Sequence, residues 1–339
     1  MGRKAMKKAV VAVAAVIAVA LAVFVFYDGV LNKTSEADFF SMKTYVTAKV
    51  TGYESDLCTA EIRKIVDNLD VNVLSRTAEA SLVSSLNKNG GGELDLQTAA
   101  YVSLLLDVCE KSGGAFDFTL GAVSDLWKFG STPGIPDEKA LAEALFHSGY
   151  EKLTLSGGKL TMQDKLAVLD FGASGKGIAL DSVKAYLETR EIKNAVVSVG
   201  GSTLLFGDKD FTVGIRNPEG NAGSYIAKLY MGEGCVSSSG SYEQFFEENG
   251  KRYHHILNPE TGYPVDNGLV GVTIVSESGL LSDALSTACF VLGIEKGSAL
   301  AAEYGCTAIF VTEDKKIYVE NNSDNLETEI TDTSYTYGN

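Results

Sequence analysis

Two histidines, a carboxylate and a hydroxyl fall close together in the last third of this chain. His254 and His255 end the run Lys251-Arg252-Tyr253-His254-His255, and Asp283 and Thr287 stand four residues apart in Ser282-Asp283-Ala284-Leu285-Ser286-Thr287. If Leu280 to Leu292 is helical, positions i and i+4 share a face, so Asp283 and Thr287 present two oxygen atoms side by side. Hard oxygen ligands beside an imidazole point to Mg²⁺-assisted chemistry on a phosphate. A second candidate is the Gly-rich run Leu169-Asp170-Phe171-Gly172-Ala173-Ser174-Gly175-Lys176-Gly177. Between a strand and a helix it offers free backbone N–H groups, a helix N-terminal dipole and Lys176, all suited to an anionic oxygen. It is not a Walker loop, because only two residues separate Gly172 from Gly175-Lys176 and Gly177 follows the lysine. Taken alone, such turns are more often structural, and Asp283 at a first helical turn is also well placed to act as a cap.

The elements around these residues begin with an apolar run. Residues 9 to 27 carry no charge and no helix breaker, and roughly 20 such residues match a bilayer's hydrocarbon thickness. Arg3, Lys4, Lys7 and Lys8 precede the run and Asp28 follows it, so the charge rule puts the N-terminus in the cytoplasm and the rest outside. The run closes on Phe24-Val25-Phe26-Tyr27 rather than on a small-residue cleavage site, which favours an uncleaved anchor over residues 1–27. Residues 28–39 read as a linker. Helical spacing covers Ser55–Leu69, Leu96–Cys109, Asp137–His147, Lys176–Thr189, Leu280–Leu292 and Glu295–Tyr304. Strand signals cover Thr44–Thr51 and Val270–Ser276, and hairpins are expected at Leu153–Met162, around Gly157-Gly158, and at Thr307–Val319. Residues 322–339, polar or acidic, read as a disordered tail. This irregular alternation predicts an α+β fold with a mixed sheet rather than a doubly wound parallel one.

The formal net charge is −15, and the first 27 residues carry four positive charges and no negative one, leaving −19 on the rest. That surface repels nucleic acid, and it requires a metal or local cation wherever a phosphate binds. The five widely spaced cysteines read as buried small hydrophobes rather than a disulfide framework or a zinc site.

Seven segments in order give the chain a resemblance to the ApbE or Ftp flavin transferases, which attach FMN from FAD to other proteins. They are Ser112 to Thr119 (Ser-Gly-Gly-Ala-Phe-Asp-Phe-Thr), Leu169 to Asp181, Val199-Gly200-Gly201, Gly214 to Pro218, Ser238 to Glu243, Tyr253 to Pro264, and Asp283 to Thr287. The resemblance implies an ApbE-like, T-fold-related mixed-sheet domain over residues 40–321. It implies Mg²⁺ at Asp283, Thr287 and the carbonyl of Ala173, with FAD contacted at positions matching Met42, Ala115, Phe116, Asp117, Asp170, Lys176 and His255. It also implies phosphoryl transfer from FAD to a Thr or Ser hydroxyl, releasing AMP, with His255, Lys176 and Asp283 as the catalytic set. The expected partners are exported or membrane-bound acceptor flavoproteins, met by a single-pass protein whose catalytic domain lies on the extracytoplasmic side of the cell membrane. Hydrolysis of FAD to FMN and AMP, or flavin binding alone, are the competing readings. The chain departs from the family pattern at four places: Arg76-Thr77 stands where many members have an aromatic residue that stacks on the flavin, and Ser241, Gln244 and Asn258 replace common residues.

Overall fold

The computed structural model describes residues 2–221, 223–320 and 326–338. The chain runs through α1 (Arg3–Leu31), β1 (Thr34–Ser41), β2 (Thr44–Gly52), α2 (Ser55–Asn68), a π-helical segment (Leu69–Leu74), α3 (Leu82–Asn89), β3 (Gly91–Glu93) and α4 (Leu96–Lys111). It continues with α5 (Gly121–Trp127), α6 (Glu138–His147), β4 (Leu153–Ser156), β5 (Lys159–Met162), α7 (Gly175–Leu187), β6 (Ile192–Val199), β7 (Ser202–Phe206), β8 (Phe211–Arg216) and β9 (Tyr225–Met231). The last third holds β10 (Gly234–Gly240), β11 (Phe245–Glu248), β12 (Lys251–His254), β13 (Leu269–Ser276), α8 (Gly279–Glu303), β14 (Thr307–Thr312), β15 (Lys316–Glu320), β16 (Glu327–Ile330) and β17 (Thr336–Tyr337).

Nine strands form the main sheet in the order β1-β2-β6-β7-β10-β13-β14-β15-β17. Every pairing is antiparallel except the parallel β15–β17 pair, so the sheet is mixed as expected. Alternation along the strands sends one set of side chains to each face. One face packs on α2, α7 and α8 through Val46, Val197, Ile274, Ile178, Ala284 and Phe290; the other packs on a β8–β9–β16 sheet through Leu205, Val236, Ile215 and Leu229. Placing the charged site residues between two helices and this sheet is what the large core achieves.

The helices α7 and α8 meet at two glycines. A Cβ on Gly177 would stand 2.1 Å from the Gly279 carbonyl oxygen, and one on Gly279 would stand 2.6 Å from that of Gly177. Only hydrogen fits at this crossing. The hairpin at Gly157-Gly158 also forms as its sequence predicts, with φ of 56° and 81°. In α8 the two expected helices run on as one element, interrupted where Gly293 takes φ 79°.

Two predicted boundaries are corrected. α1 continues past Tyr27 to Leu31, and β1 begins at Thr34, so no linker occupies 28–39; the polar alternation of Thr34–Ser41 is an edge strand paired along its length with β2. The tail is ordered where it is described: β16 pairs with β9, β17 pairs with β15, and Leu326 and Tyr335 are buried in the second core. Residues 322–325 and 339 of that predicted tail lie outside the described residues. α1 is solvent-exposed along its apolar length, and its Met6–Leu31 stretch has the length and hydropathy to cross a membrane, as both an anchor and a signal sequence do. The five cysteines are buried and unbridged, as their spacing implied.

Because the Gly177 contact is backbone against backbone, Gly177→Ala is expected to lower unfolding stability by about 2–3 kcal/mol. Gly232→Ala, where a Cβ meets nothing within 4 Å, should stay within about 0.5 kcal/mol. Urea unfolding of the two variants checks the difference.

Candidate functional site

Each of the two crossing helices caps the other. From α7, Asp181 Oδ1 accepts the Gly279 N–H at 2.5 Å, and its Oδ2 accepts the Leu280 N–H at 3.0 Å and the Ser278 hydroxyl at 2.8 Å. From α8, Asp283 Oδ2 accepts the Gly177 N–H at 3.0 Å in the first turn of α7. Carboxylates at helix N-termini satisfy orphan donors and meet the positive end of the dipole. Asp283 therefore caps α7, not its own helix, whose N-cap is Ser278.

Asp283 is 2 % exposed. Its Oδ1 accepts the Ser202 hydroxyl at 3.1 Å and lies 3.4 Å from Lys176 Nζ. Burial opposes the charge on Lys176, yet the Asp283 and Glu243 carboxylates outweigh it and hold the ammonium above its usual value. One turn along α8, Thr287 Oγ1 sits 3.2 Å from Ser239 Oγ. Spacing alone could not tell whether the Gly-rich loop meets Asp283; the helix crossing brings Lys176, Asp283 and Thr287 to one end of the sheet.

The loop itself is pinned at its start. Asn87 donates to the Leu169 carbonyl and accepts from its N–H, and the Asp170 N–H donates to the Phe118 carbonyl at 2.7 Å. Ala173 then sits half-buried in the turn closed by the Ser174 and Gly175 N–H groups on the Phe171 carbonyl. Opposite stands Met42, in a two-residue hairpin turn with Lys43 where φ is 51° and 58°. Such a turn favours Asn-Gly, so here it is strained and depends on the Met42 N–H donating to Asp70 at 2.8 Å. Met42 Cε and Leu74 Cδ1 would lie 3.3 and 3.4 Å from a Cβ on Gly175, so that glycine lets both side chains close over the start of α7.

Arg76, where an aromatic residue was the family expectation, is an electrostatic clamp. It makes a paired contact with Asp125 at 2.9 and 3.0 Å, donates to the Gly121 carbonyl at 3.1 Å, and lies 3.3 Å from Asp170. Burial is again outweighed by Asp170 and Asp125, which keep the guanidinium charged.

His255 follows β12, and its N–H donates to the Gln244 carbonyl at 3.0 Å. Its Nδ1 is buried without a hydrogen-bond partner. Burial first, then the charges of Lys176 and His254, lowers its pKa from 6.5 to about 4. His254 is structural: Nε2 lies 2.8 Å from the Val265 carbonyl, and the ring packs edge-on against Phe290.

The Ala115–Asp117 segment is separate. Phe116 is 2 % exposed and belongs to the core. Asp117 spends its oxygens on Thr119 and on the Tyr150 N–H, while burial pushes its carboxyl up. Ala115 lines a groove of about 580 Å³ between α4, the Asn258–Glu260 turn and the second half of α8. Neither Asp283, Lys176 nor His255 lines that groove. Of the departures, Asn258 caps a turn through the Glu260 N–H, Gln244 holds His255 by its backbone, and Ser241 lies beside the Val270 carbonyl; none contacts Asp283.

The site also includes Ser202 and Ser239, which residue spacing alone does not single out. Ser202 directly follows the Val199-Gly200-Gly201 segment, the one signal that could have marked it. Among the described residues no three His, Cys, Asp or Glu side chains group closely enough to hold a metal. A cation at Asp283 therefore needs neutral oxygens, and Thr287 with a loop carbonyl supplies the donor type that suits Mg²⁺.

With this geometry in hand, the comparisons are direct. Residues 42–310 match the ApbE family. The chain belongs to the ApbE family. Among family relatives, the FAD:protein FMN transferase of Treponema pallidum is 34% identical over 269 residues, covering 72% of this chain and 74% of that protein. The FAD:protein FMN transferase of Klebsiella pneumoniae (strain 342) is 34% identical over 226 residues, 66% of this chain and 69% of its own. The crystal structure of the ApbE protein from Thermotoga maritima superposes with a TM-score of 0.76 at 30% identity, covering 84% of this chain and 96% of that one. The mixed α+β fold described above is thus the ApbE fold.

For this ApbE-family site, His255 gives a measurable sign. Below pH 6.5 an unfolded chain protonates this histidine, whereas the folded protein does so only near pH 4. Stability should therefore fall as pH drops from about 6.5 to about 4, and His255→Gln should remove that part of the slope. Denaturation of both proteins at stepped pH, with the His255 ring followed by NMR, checks it.

Proposed function

We propose that the chain is an FAD:protein FMN transferase whose Mg²⁺-dependent reaction moves FMN from FAD onto a Thr or Ser hydroxyl of an acceptor flavoprotein. The observation that carries this reading is the Lys176–Asp283 pair at the N-terminus of α7, with Lys176 Nζ 3.4 Å from Asp283 Oδ1. A helix N-terminus and an ammonium attract the diphosphate in a chain otherwise strongly negative. The names of the relatives support the same activity.

In the reaction, the acceptor hydroxyl oxygen bonds to the FMN-side phosphorus, the diphosphate P–O bond breaks, and AMP leaves with the bonding pair. Such transfers depend on positioning and on neutralising charge on the phosphoryl oxygens. Lys176 neutralises one oxygen, and the positive end of the α7 dipole favours the diphosphate beside it. His255, neutral because its pKa lies near 4, takes the hydroxyl proton at Nδ1, the atom left without a partner. Asp283, Thr287 and the Ala173 carbonyl would hold Mg²⁺, which supplies Lewis-acid stabilisation of the diphosphate when bound. Met42 and Asp170 flank the flavin end, and the Ala115–Asp117 backbone contributes from the groove side. α1 acts as an uncleaved anchor that holds the domain on the extracytoplasmic face, where exported or membrane-bound acceptors and external FAD meet it.

The full chain in detergent, with FAD, Mg²⁺ and an apo-acceptor protein, is expected to add the mass of FMN to the acceptor and release AMP. Chelation should stop the reaction and Mg²⁺ restore it. Asp283→Asn and Lys176→Met should each lower the rate roughly 10²–10³-fold. FMN and AMP without a mass gain would replace transfer by FAD hydrolysis, and intact FAD would sink both.

A further inference from the structure

A pocket of about 250 Å³ opens on the other face of the main sheet, between its Gly200-Gly201 turn and the β8–β9 sheet. Its walls include Arg216, Tyr242, Glu243, Ser238 and Thr273, none of them among the residues assigned above to FAD or Mg²⁺. The glycine turn keeps it open: a Cβ on Gly201 would stand 3.1 Å from the Ser238 carbonyl oxygen and 3.3 Å from Glu243 Oε1. Glu243 stands beside Gly201, and the next residue, Ser202, donates its hydroxyl to Asp283 Oδ1 at 3.1 Å, which ties this wall of the pocket to the Lys176–Asp283 pair.

Arg216 on the same wall is exposed and, among the described residues, makes no ion pair. Arg63, Arg76, Arg190 and Arg252 each reach a carboxylate within 4 Å, whereas Arg216, among the described residues, reaches none. Its guanidinium lies over the Tyr242 ring at 5.3 Å instead, a stacked arrangement that leaves the N–H edge free for bidentate pairing. In a chain of net charge −15, an exposed guanidinium on a pocket wall, its charge felt by Glu243 but with no carboxylate within 4 Å, suits an incoming carboxylate.

We propose that this pocket is the port for the acceptor protein. It takes an extended segment whose hydroxyl passes Glu243 to reach the Lys176–Asp283 centre and the His255 base, and whose acidic side chain pairs with Arg216. This rests on the flavin-transfer reading.

The test uses the full chain, FAD, Mg²⁺ and an apo-flavoprotein whose flavin-bearing threonine has been mapped by mass spectrometry. Acceptor forms in which each Asp or Glu within four residues of that threonine is changed to Lys serve as the charge-swap set. Arg216→Glu is expected to lower acceptor kcat/KM roughly 10- to 100-fold, to keep wild-type FAD affinity by flavin fluorescence, and to recover rate on one of the Lys forms. Arg216→Gln, milder for folding, should lose rate on the native acceptor and discriminate little between the forms. Wild-type transfer by Arg216→Glu, a parallel loss of FAD affinity, or no recovery on any Lys form overturns the port and leaves the transferase reading standing. A wild-type protein that attaches no FMN to the mapped acceptor overturns the transferase reading, and the port with it.

Discussion

The crossing of α7 and α8 at Gly177 and Gly279 is the constraint on which the rest of the site depends. Two helix N-termini meet with no side chain between them, and their dipoles add positive potential at one spot. Left alone, that spot would be costly; the chain offsets it by exchanging carboxylates, Asp181 onto α8 and Asp283 onto α7. The exchange fixes both helices in register and leaves Asp283 with one oxygen turned to Ser202 and Lys176. A buried charge placed this way is satisfied by its surroundings and keeps the Lys176 ammonium as neighbour.

The sheet contributes a layer of hydroxyls beneath α8. Ser237 pairs with Ser282, and Ser239 with Ser286 and Thr287, each within 3.2 Å. Buried hydroxyls that satisfy one another let polar residues line a core without an ionic penalty. They also set the rotation of α8, since a turn of the helix in either direction would strand several of them.

Around this rigid floor the walls are held by strain and charge. The Met42-Lys43 turn persists because Asp70 holds its N–H and β1–β2 pairing over-determines it. The Arg76 clamp ties Asp170 to α5 through four contacts at 2.9–3.3 Å. The loop after β12 is braced by Trp127, whose Nε1 donates to the Gly262 carbonyl at 2.8 Å within a cluster of Phe129, Phe246, Tyr253 and Tyr263. His255 thus stands on a hairpin packed against aromatic rings, and its low pKa follows from that packing together with Lys176.

Much of this was legible from residue order. The Asp283–Thr287 spacing, the Lys176 loop, the Gly157-Gly158 hairpin and the break at Gly293 are local, so periodicity and backbone preference determine them without knowledge of the fold. The apolar run of α1 and the negative charge of the remainder are likewise properties of composition. What tertiary structure alone decided is pairing across distance. Thr34–Ser41 reads as a polar linker until β2 gives it a partner, and the tail reads as disordered until β9 and β15 do. Asp283 reads as a cap for its own helix until α7, 106 residues away in sequence, presents Gly177. The burial of Phe116 in the core and the Tyr150 N–H that Asp117 accepts likewise come from segments distant in sequence. A side chain's chemistry is written in its type, but the groups that compete for it are brought together only by folding.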